Sequence, residues 1–135
     1  MQFAPQYGVG EAGIAAVALA VFIGHLFPVF FKFQGGKGVA TALGVLLAIH
    51  VWLGLAVLAT WLLATAIWRT SSLSALIAAT AAPAIGFWLL GFNAYSLVLI
   101  PLCALLIWRH QSNIRNLLAG REASIGKPNG RNPPP

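Results

Sequence analysis

Apolar residues in this chain fall into five runs: Gly13 to Phe31, Val39 to Ile49, Val51 to Trp68, Leu73 to Leu90 and Ala94 to Trp108. Polar or glycine-containing breaks separate them, at Phe33 to Gly38, His50, Arg69 to Ser72 and Gly91 to Asn93. A helix rises about 1.5 Å per residue, so the first run is long enough to cross a hydrocarbon layer of ~30 Å. The second run is too short to span unless it tilts or is shielded by protein. Pro28, Pro83 and Pro101 fall inside runs, which membrane helices tolerate better than soluble ones do. The pattern predicts an all-α, polytopic membrane helix bundle of five segments, one of them short, with no internal repeat.

Composition agrees with the pattern. Of 135 residues, 59% are hydrophobic and 7% charged, against about 25% charged in soluble domains. Mean hydropathy is +0.85. Too little polar surface is available to coat a soluble enzyme, and the single Cys103 excludes a disulfide scaffold. Eight Lys and Arg against two Asp and Glu would suggest nucleic acid in a soluble protein. Here the basic residues sit between apolar runs, and no nucleic-acid partner is expected.

Charge also predicts orientation. With Phe33 to Gly38 in the cytoplasm, Lys32, Lys37, Arg69, Arg109, Arg115, Arg121, Lys127 and Arg131 all fall on the cytoplasmic side. Glu11 falls outside, so every basic residue obeys the positive-inside rule. The N-terminus is then external and the C-terminus cytoplasmic, in a bacterial inner membrane. Trp52, Trp68, Trp88 and Trp108 lie near segment ends, as an aromatic belt requires, and Trp61 is the mid-span exception. The first ten residues hold no Lys or Arg to begin a signal peptide. Residues 1–123 form the expected membrane domain, and 124–135, with Gly126, Pro128, Gly130 and three final prolines, an expected disordered cytoplasmic tail.

Two clusters carry candidate chemistry. Gly35, Gly36, Lys37 and Gly38 precede Val39, Ala40 and Thr41 at the opening of an apolar helix. Glycines let backbone N–H groups converge, a helix start adds unsatisfied donors, and Lys37 adds a full charge. That combination cradles a phosphate or carboxylate, although a flexible turn with a positive-inside lysine accounts for it equally. It is not a Walker A loop, because Gly38 stands where Ser or Thr would follow the lysine. The second cluster is Arg109 to Asn113. On a continuing helix His110 and Asn113 share a face. His110 has the protonation range of a general base and Asn113 can orient a hydroxyl or phosphate, while a polar cap at a helix exit is the simpler alternative. Glu122, among Arg109, Arg115 and Arg121, is expected to form an ion pair that fixes the tail. His25 is an intramembrane histidine, which either functions or bonds a neighbouring helix. No metal-ligand cluster, paired carboxylates or Ser/His/Asp arrangement is present, and no cofactor is expected.

Gly24 to Phe30, followed by the string Gly35 to Gly44, resembles the second signature of the bacterial acyl-phosphate:glycerol-3-phosphate acyltransferases, the PlsY family. His110 to Asn113, with Ile114, Leu117, Leu118, Gly120 and Glu122, is similar to the third. The resemblance implies the last five helices of a seven-span inner-membrane enzyme. Such enzymes pass a fatty acyl group from acyl phosphate to the sn-1 hydroxyl of glycerol 3-phosphate, giving lysophosphatidic acid. It further implies that Gly35, Gly36, Lys37, Gly38 and Thr41 bind glycerol 3-phosphate, that His110 and Asn113 are essential, and that His25 and Glu122 support them. Asn116 stands where the family usually carries Arg. The family's first signature, a Ser-Gly-Asn string with a nearby Arg, has no counterpart, so an N-terminally truncated enzyme of doubtful activity is expected. The competing reading is a noncatalytic membrane subunit or small phosphate transporter using the same cradle.

Overall fold

The computed structural model describes residues 10–28, 37–122 and 124–125. Among them are six helices and no strand: α1 (Glu11–Leu26), α2 (Val39–Ile49), α3 (Val51–Trp68), α4 (Ser71–Leu90), α5 (Ala94–Arg109) and α6 (Gln111–Leu118). The chain is an all-α membrane helix bundle. By length and apolarity α3 and α4 each suffice to cross a membrane, and α5 with α6 does so only as a broken pair. The shorter α1 and α2 do not meet that length on their own.

The second and third runs appear as helices with the expected ends. Three differences stand out. The first run was expected to continue to Phe31, but α1 stops at Leu26, and Phe27 leaves the helical region at φ −128°, ψ 64°. Phe27 precedes Pro28, and a residue before proline is sterically driven out of the α conformation. Val29 to Phe31 lie outside the described residues. At the fourth run the helix starts at Ser71 rather than Leu73, because its first-turn serines sit where backbone N–H groups are unpaired in any case. The largest departure is at His110, where the expected continuous helix breaks and α6 turns by 58°.

Packing centres on α4, which lies between α3 and α5. Its buried face is Ala75, Ala78, Ala79, Ala82 and Gly86. Lipid offers no hydrophobic gain for helix association, so close approach of small residues supplies the van der Waals contact instead. A methyl group at Gly86 would collide with the Leu99 side chain, and one at Gly54 would lie 2.8 Å from the Leu47 Cα. Several hydroxyls within the spans bond carbonyls one turn back: Thr60 to that of Ala56 at 2.9 Å and Ser74 to that of Thr70 at 2.8 Å. Thr80 likewise donates to the Ile77 carbonyl at 2.9 Å. Trp52, Leu63, Trp88 and Phe92 are exposed on the outer surface, where lipid rather than water suits them.

Candidate active site

The site lies at the end of the bundle where α2 begins and α5 ends. Gly38 caps α2 with φ +79°, a left-handed conformation that glycine adopts without penalty. A Cβ there would also sit 2.7 Å from the Phe22 ring and 2.9 Å from Leu26. Glycine is therefore required twice over, for its backbone angle and for the approach of α2 to α1. Lys37 is exposed beside it, and its charge is felt at both His110 and Glu122. Thr41 is half-buried in the first turn of α2. Gly35 and Gly36 lie outside the described residues.

His110 occupies the break between α5 and α6 and is 1% exposed. Its backbone N–H is shared between the Ile107 and Leu106 carbonyls at 3.0 and 3.2 Å, as at the frayed end of a helix. Its Nδ1 lies 2.8 Å from the same Leu106 carbonyl. A carbonyl can only accept, so Nδ1 carries the proton and Nε2 keeps its lone pair. The imidazole is held below the usual histidine range. Burial is the main cause, the Lys37 charge adds to it, and the Leu106 hydrogen bond and Glu122 oppose it. His110 is thus a neutral ring with a defined acceptor nitrogen.

Asn113 sits one turn into α6, 8% exposed. Its Nδ2 donates to Glu122 Oε1 at 2.6 Å, and Ser72 Oγ donates to the same oxygen at 2.7 Å. Because a carboxylate accepts only, the Asn113 amide must present its nitrogen to Glu122 and its oxygen to the other side. That Oδ1 is buried without a hydrogen-bond partner. Burial raises the affinity of Glu122 for a proton, but the Ser72 and Asn113 hydrogen bonds, the Lys37 charge and a bond from Asn116 outweigh it. The net result is a carboxyl held below its ordinary range.

Local sequence explains how Glu122 reaches back. Gly120, at φ +67°, is the left-handed residue after α6. The Gly120 N–H bonds the Leu117 carbonyl at 3.1 Å and the Arg121 N–H bonds the Asn116 carbonyl at 2.7 Å. That double bond pattern is a Schellman cap, which reverses the chain. The return is then anchored on the α3–α4 turn, where the Ile125 N–H bonds the Arg69 carbonyl at 2.6 Å.

An apolar cavity of about 320 Å³ opens between α2, α3, α4 and α5. Val39 and Ala40 lie at its α2 end, Trp61, Ala78 and Cys103 line its middle, and Leu106 joins it to the His110 corner. Trp61, the mid-span exception to the aromatic belt, is thereby placed in a cavity wall. The arrangement suits an amphiphile with an anionic head at Lys37 and an apolar tail between the helices.

Lys37, Gly38, His110, Asn113 and Glu122 all fall in this one corner. His25 is exposed in the last turn of α1 and makes no hydrogen bond with the corner among the described residues. Among the described residues the donors on Glu122 are uncharged side chains rather than the arginines expected from sequence. Sequence reasoning missed Ser72. A serine near a helix start is locally unremarkable, and its partner is 50 residues away. The expected disordered tail begins at Ser124; Ser124 and Ile125 are described, with Ile125 anchored as above, and the remainder lies outside the described residues.

A family model for glycerol-3-phosphate acyltransferase matches residues 2–120. The chain belongs to that family. It is 56% identical over 124 residues to a glycerol-3-phosphate acyltransferase of Herminiimonas arsenicoxydans, covering 92% of this chain and 60% of the relative. It is 57% identical over 124 residues to one of Janthinobacterium sp. (strain Marseille), covering 92% and 62%. Among solved structures it is similar to PlsY (YgiH), an integral membrane glycerol 3-phosphate acyltransferase, in its glycerol 3-phosphate form. The TM-score is 0.86 at 36% identity, over 92% of this chain and 62% of that one. The lysophosphatidic acid form gives the same TM-score over 63% of its chain. The chain spans about three fifths of the length of these curated relatives.

Proposed function

We propose that the chain carries the cytosol-facing catalytic corner of an acyltransferase that moves a fatty acyl group from acyl phosphate to the sn-1 hydroxyl of glycerol 3-phosphate. The observation that carries this reading is the junction of an apolar cavity with two fixed acceptors and a cation. The acyl tail lies in the cavity, which extends about 10 Å along α4 from Ala75 to Ala82. Lys37 and the α2 start hold phosphate, aided by the preceding Gly35 and Gly36. The solved neighbours in glycerol 3-phosphate and lysophosphatidic acid forms support these two ligand types.

The chemistry asks little of the protein, since acyl phosphate is an activated mixed anhydride. Asn113 Oδ1 accepts a hydrogen bond from the neighbouring sn-2 hydroxyl of glycerol 3-phosphate and so aims the sn-1 oxygen at the carbonyl carbon. A new C–O bond forms, the bond to the phosphate oxygen breaks, and phosphate leaves with the electron pair. His110 Nε2 accepts the sn-1 hydroxyl proton. Lys37 and nearby backbone donors stabilise the charge that develops on the leaving group. His25, exposed in the last turn of α1, supports the site without bonding it directly. The corner faces the cytosol of a bacterial inner membrane, where both anionic substrates are dissolved or delivered.

The test is lysophosphatidic acid formation in membranes holding this chain together with the N-terminal two-span segment of a relative. His110→Ala and Lys37→Ala are expected to lower turnover by about 100-fold or more. Full activity in either variant overturns the assignment. Phosphate flux into vesicles without acyl phosphate consumption overturns the reaction itself.

A further inference from the structure

The α3–α4 turn is tied to the site by contacts that the chemistry above does not use. Ser72, the second residue of α4, is 8% exposed and donates to Glu122 Oε1 at 2.7 Å. Three residues earlier in the turn, Arg69 holds a left-handed backbone at φ 52°. Its carbonyl accepts from the Ile125 N–H at 2.6 Å, and its guanidinium Nε and terminal nitrogen donate to the Ile125 carbonyl at 3.4 and 3.3 Å. The chain leaving the Schellman cap is therefore fixed at two points, side chain at Glu122 and backbone at Ile125.

The consequence is orientational. An asparagine amide has two faces of similar shape, and only its partners decide which way it points. Glu122 decides it for Asn113, provided the carboxylate itself cannot swing. Ser72 is the second donor on the oxygen that Asn113 uses, and hydroxyl-to-carboxylate bonds of this length are charge-assisted and strong.

We propose that Ser72 is a positioning residue: through Glu122 it holds the Asn113 amide in the orientation that turns Oδ1 toward the sn-2 hydroxyl of the substrate. The substrate role of Asn113 rests on the function proposed above, whereas the Ser72–Glu122–Asn113 relay does not. Arg69 fixes the backbone of the returning chain, and Ser72 fixes the carboxylate within it. Among the described residues, the charged and titratable groups that act on or respond to Glu122 are Lys37 and His110. Neither changes when Ser72 is replaced.

The experiment compares Ser72→Ala, Ser72→Cys and Ser72→Thr in the full chain in lipid nanodiscs, by NMR of the Glu122 carboxyl carbon and the Asn113 side-chain amide. Ser72→Ala is expected to raise the Glu122 titration midpoint and to broaden or split the Asn113 amide signals, leaving Ile125 N–H protected by Arg69. Ser72→Thr, which keeps the hydroxyl, restores both signals, and Ser72→Cys, a weak donor, falls between. If Ser72→Ala loses α4 protection, the Thr and Cys variants carry the comparison. In the two-piece membrane assay Ser72→Ala lowers kcat/KM for glycerol 3-phosphate about tenfold, and Thr rescues it. An unmoved Glu122 midpoint, or a moved one with unchanged kcat/KM, overturns the proposal. An intact relay alongside fully active His110→Ala overturns the functional reading instead.

Discussion

The two ends of the bundle solve the same problem, a turn between antiparallel membrane helices, in opposite ways. At the α4–α5 turn Asn93 and Ser96 spend their side chains locally. Asn93 accepts from the Ser96 N–H at 3.0 Å and donates to the Leu90 carbonyl at 2.9 Å, and Ser96 Oγ donates to Gly91 at 2.6 Å. At the α3–α4 turn the partners are 50 and 56 residues distant, on the chain beyond α6. Acceptors are left over there as well: Asn113 Oδ1 has no partner, and His110 has its single donor committed to Leu106. A closed local network makes a turn. A long-range network that ends in aimed, unused acceptors marks the candidate site, because those atoms await a donor that the described residues do not supply.

The sharpest way to break this contrast is to remove proton acceptance while keeping the shape. His110→Gln keeps an amide near the ring position but cannot take up a proton. It is expected to lower turnover by about 10²–10⁴-fold, read as lysophosphatidic acid formed per unit time in the two-piece membrane assay. The same change at His50, a boundary residue between α2 and α3, leaves turnover within about twofold. Equal losses at both histidines would mean that the two ends do not differ in function.

The next effect is on the pH profile, and its signs are set by the neighbours of His110. Its folded-state affinity for protons is below the usual value near 6.5, so the neutral ring is favoured by folding. The stability it contributes is complete above that usual value and is lost as pH falls toward the depressed midpoint. The acid limb of the rate profile therefore lies below pH ~6.5. Lys37→Gln removes a repelling charge and moves the limb up. Glu122→Gln removes an attracting charge and moves it down. Shifts of the same sign in both variants would show that neither charge acts on His110.

Much of the bundle was legible in the sequence because helix-length apolar runs and their breaks leave local marks. The ends of α2 and α3 are set by Gly38, His50 and Arg69, each visible as a polar or glycine interruption. What was not legible depended on distant partners or on sub-helical geometry. The break at His110 carries no proline or glycine. Ser72 needed Glu122 to acquire meaning, and Gly120 revealed its cap only when the Arg121 N–H was seen to reach Asn116. The candidate residues themselves were found by type and spacing, but the directions of their donors and acceptors were not. Those directions carry most of the chemistry.

Stability gives a finer test of the same contrast. Gly38→Ala at the site end forces a Cβ into a left-handed backbone and against the Phe22 ring. Strain and overpacking together cost about 2–4 kcal/mol, and turnover falls with them because α2 carries Lys37 at its mouth. Measured by unfolding in mixed micelles, a loss below about 0.5 kcal/mol would mean that the ring simply moves aside.

The smallest effect belongs to the far turn. Asn93→Ala deletes the α5 cap, whose Oδ1 satisfies the Ser96 N–H, and such caps are worth about 1 kcal/mol. Ser96 Oγ keeps its bond to Gly91, so the turn should hold. The expected result is a modest drop in unfolding free energy with turnover and pH profile unchanged. The stability loss identifies the network as structural, and the unchanged rate identifies it as only that. If turnover instead falls more than about threefold at unchanged fold, the two ends are coupled through α5. The local closure of the Asn93 network would then no longer separate a turn from a site.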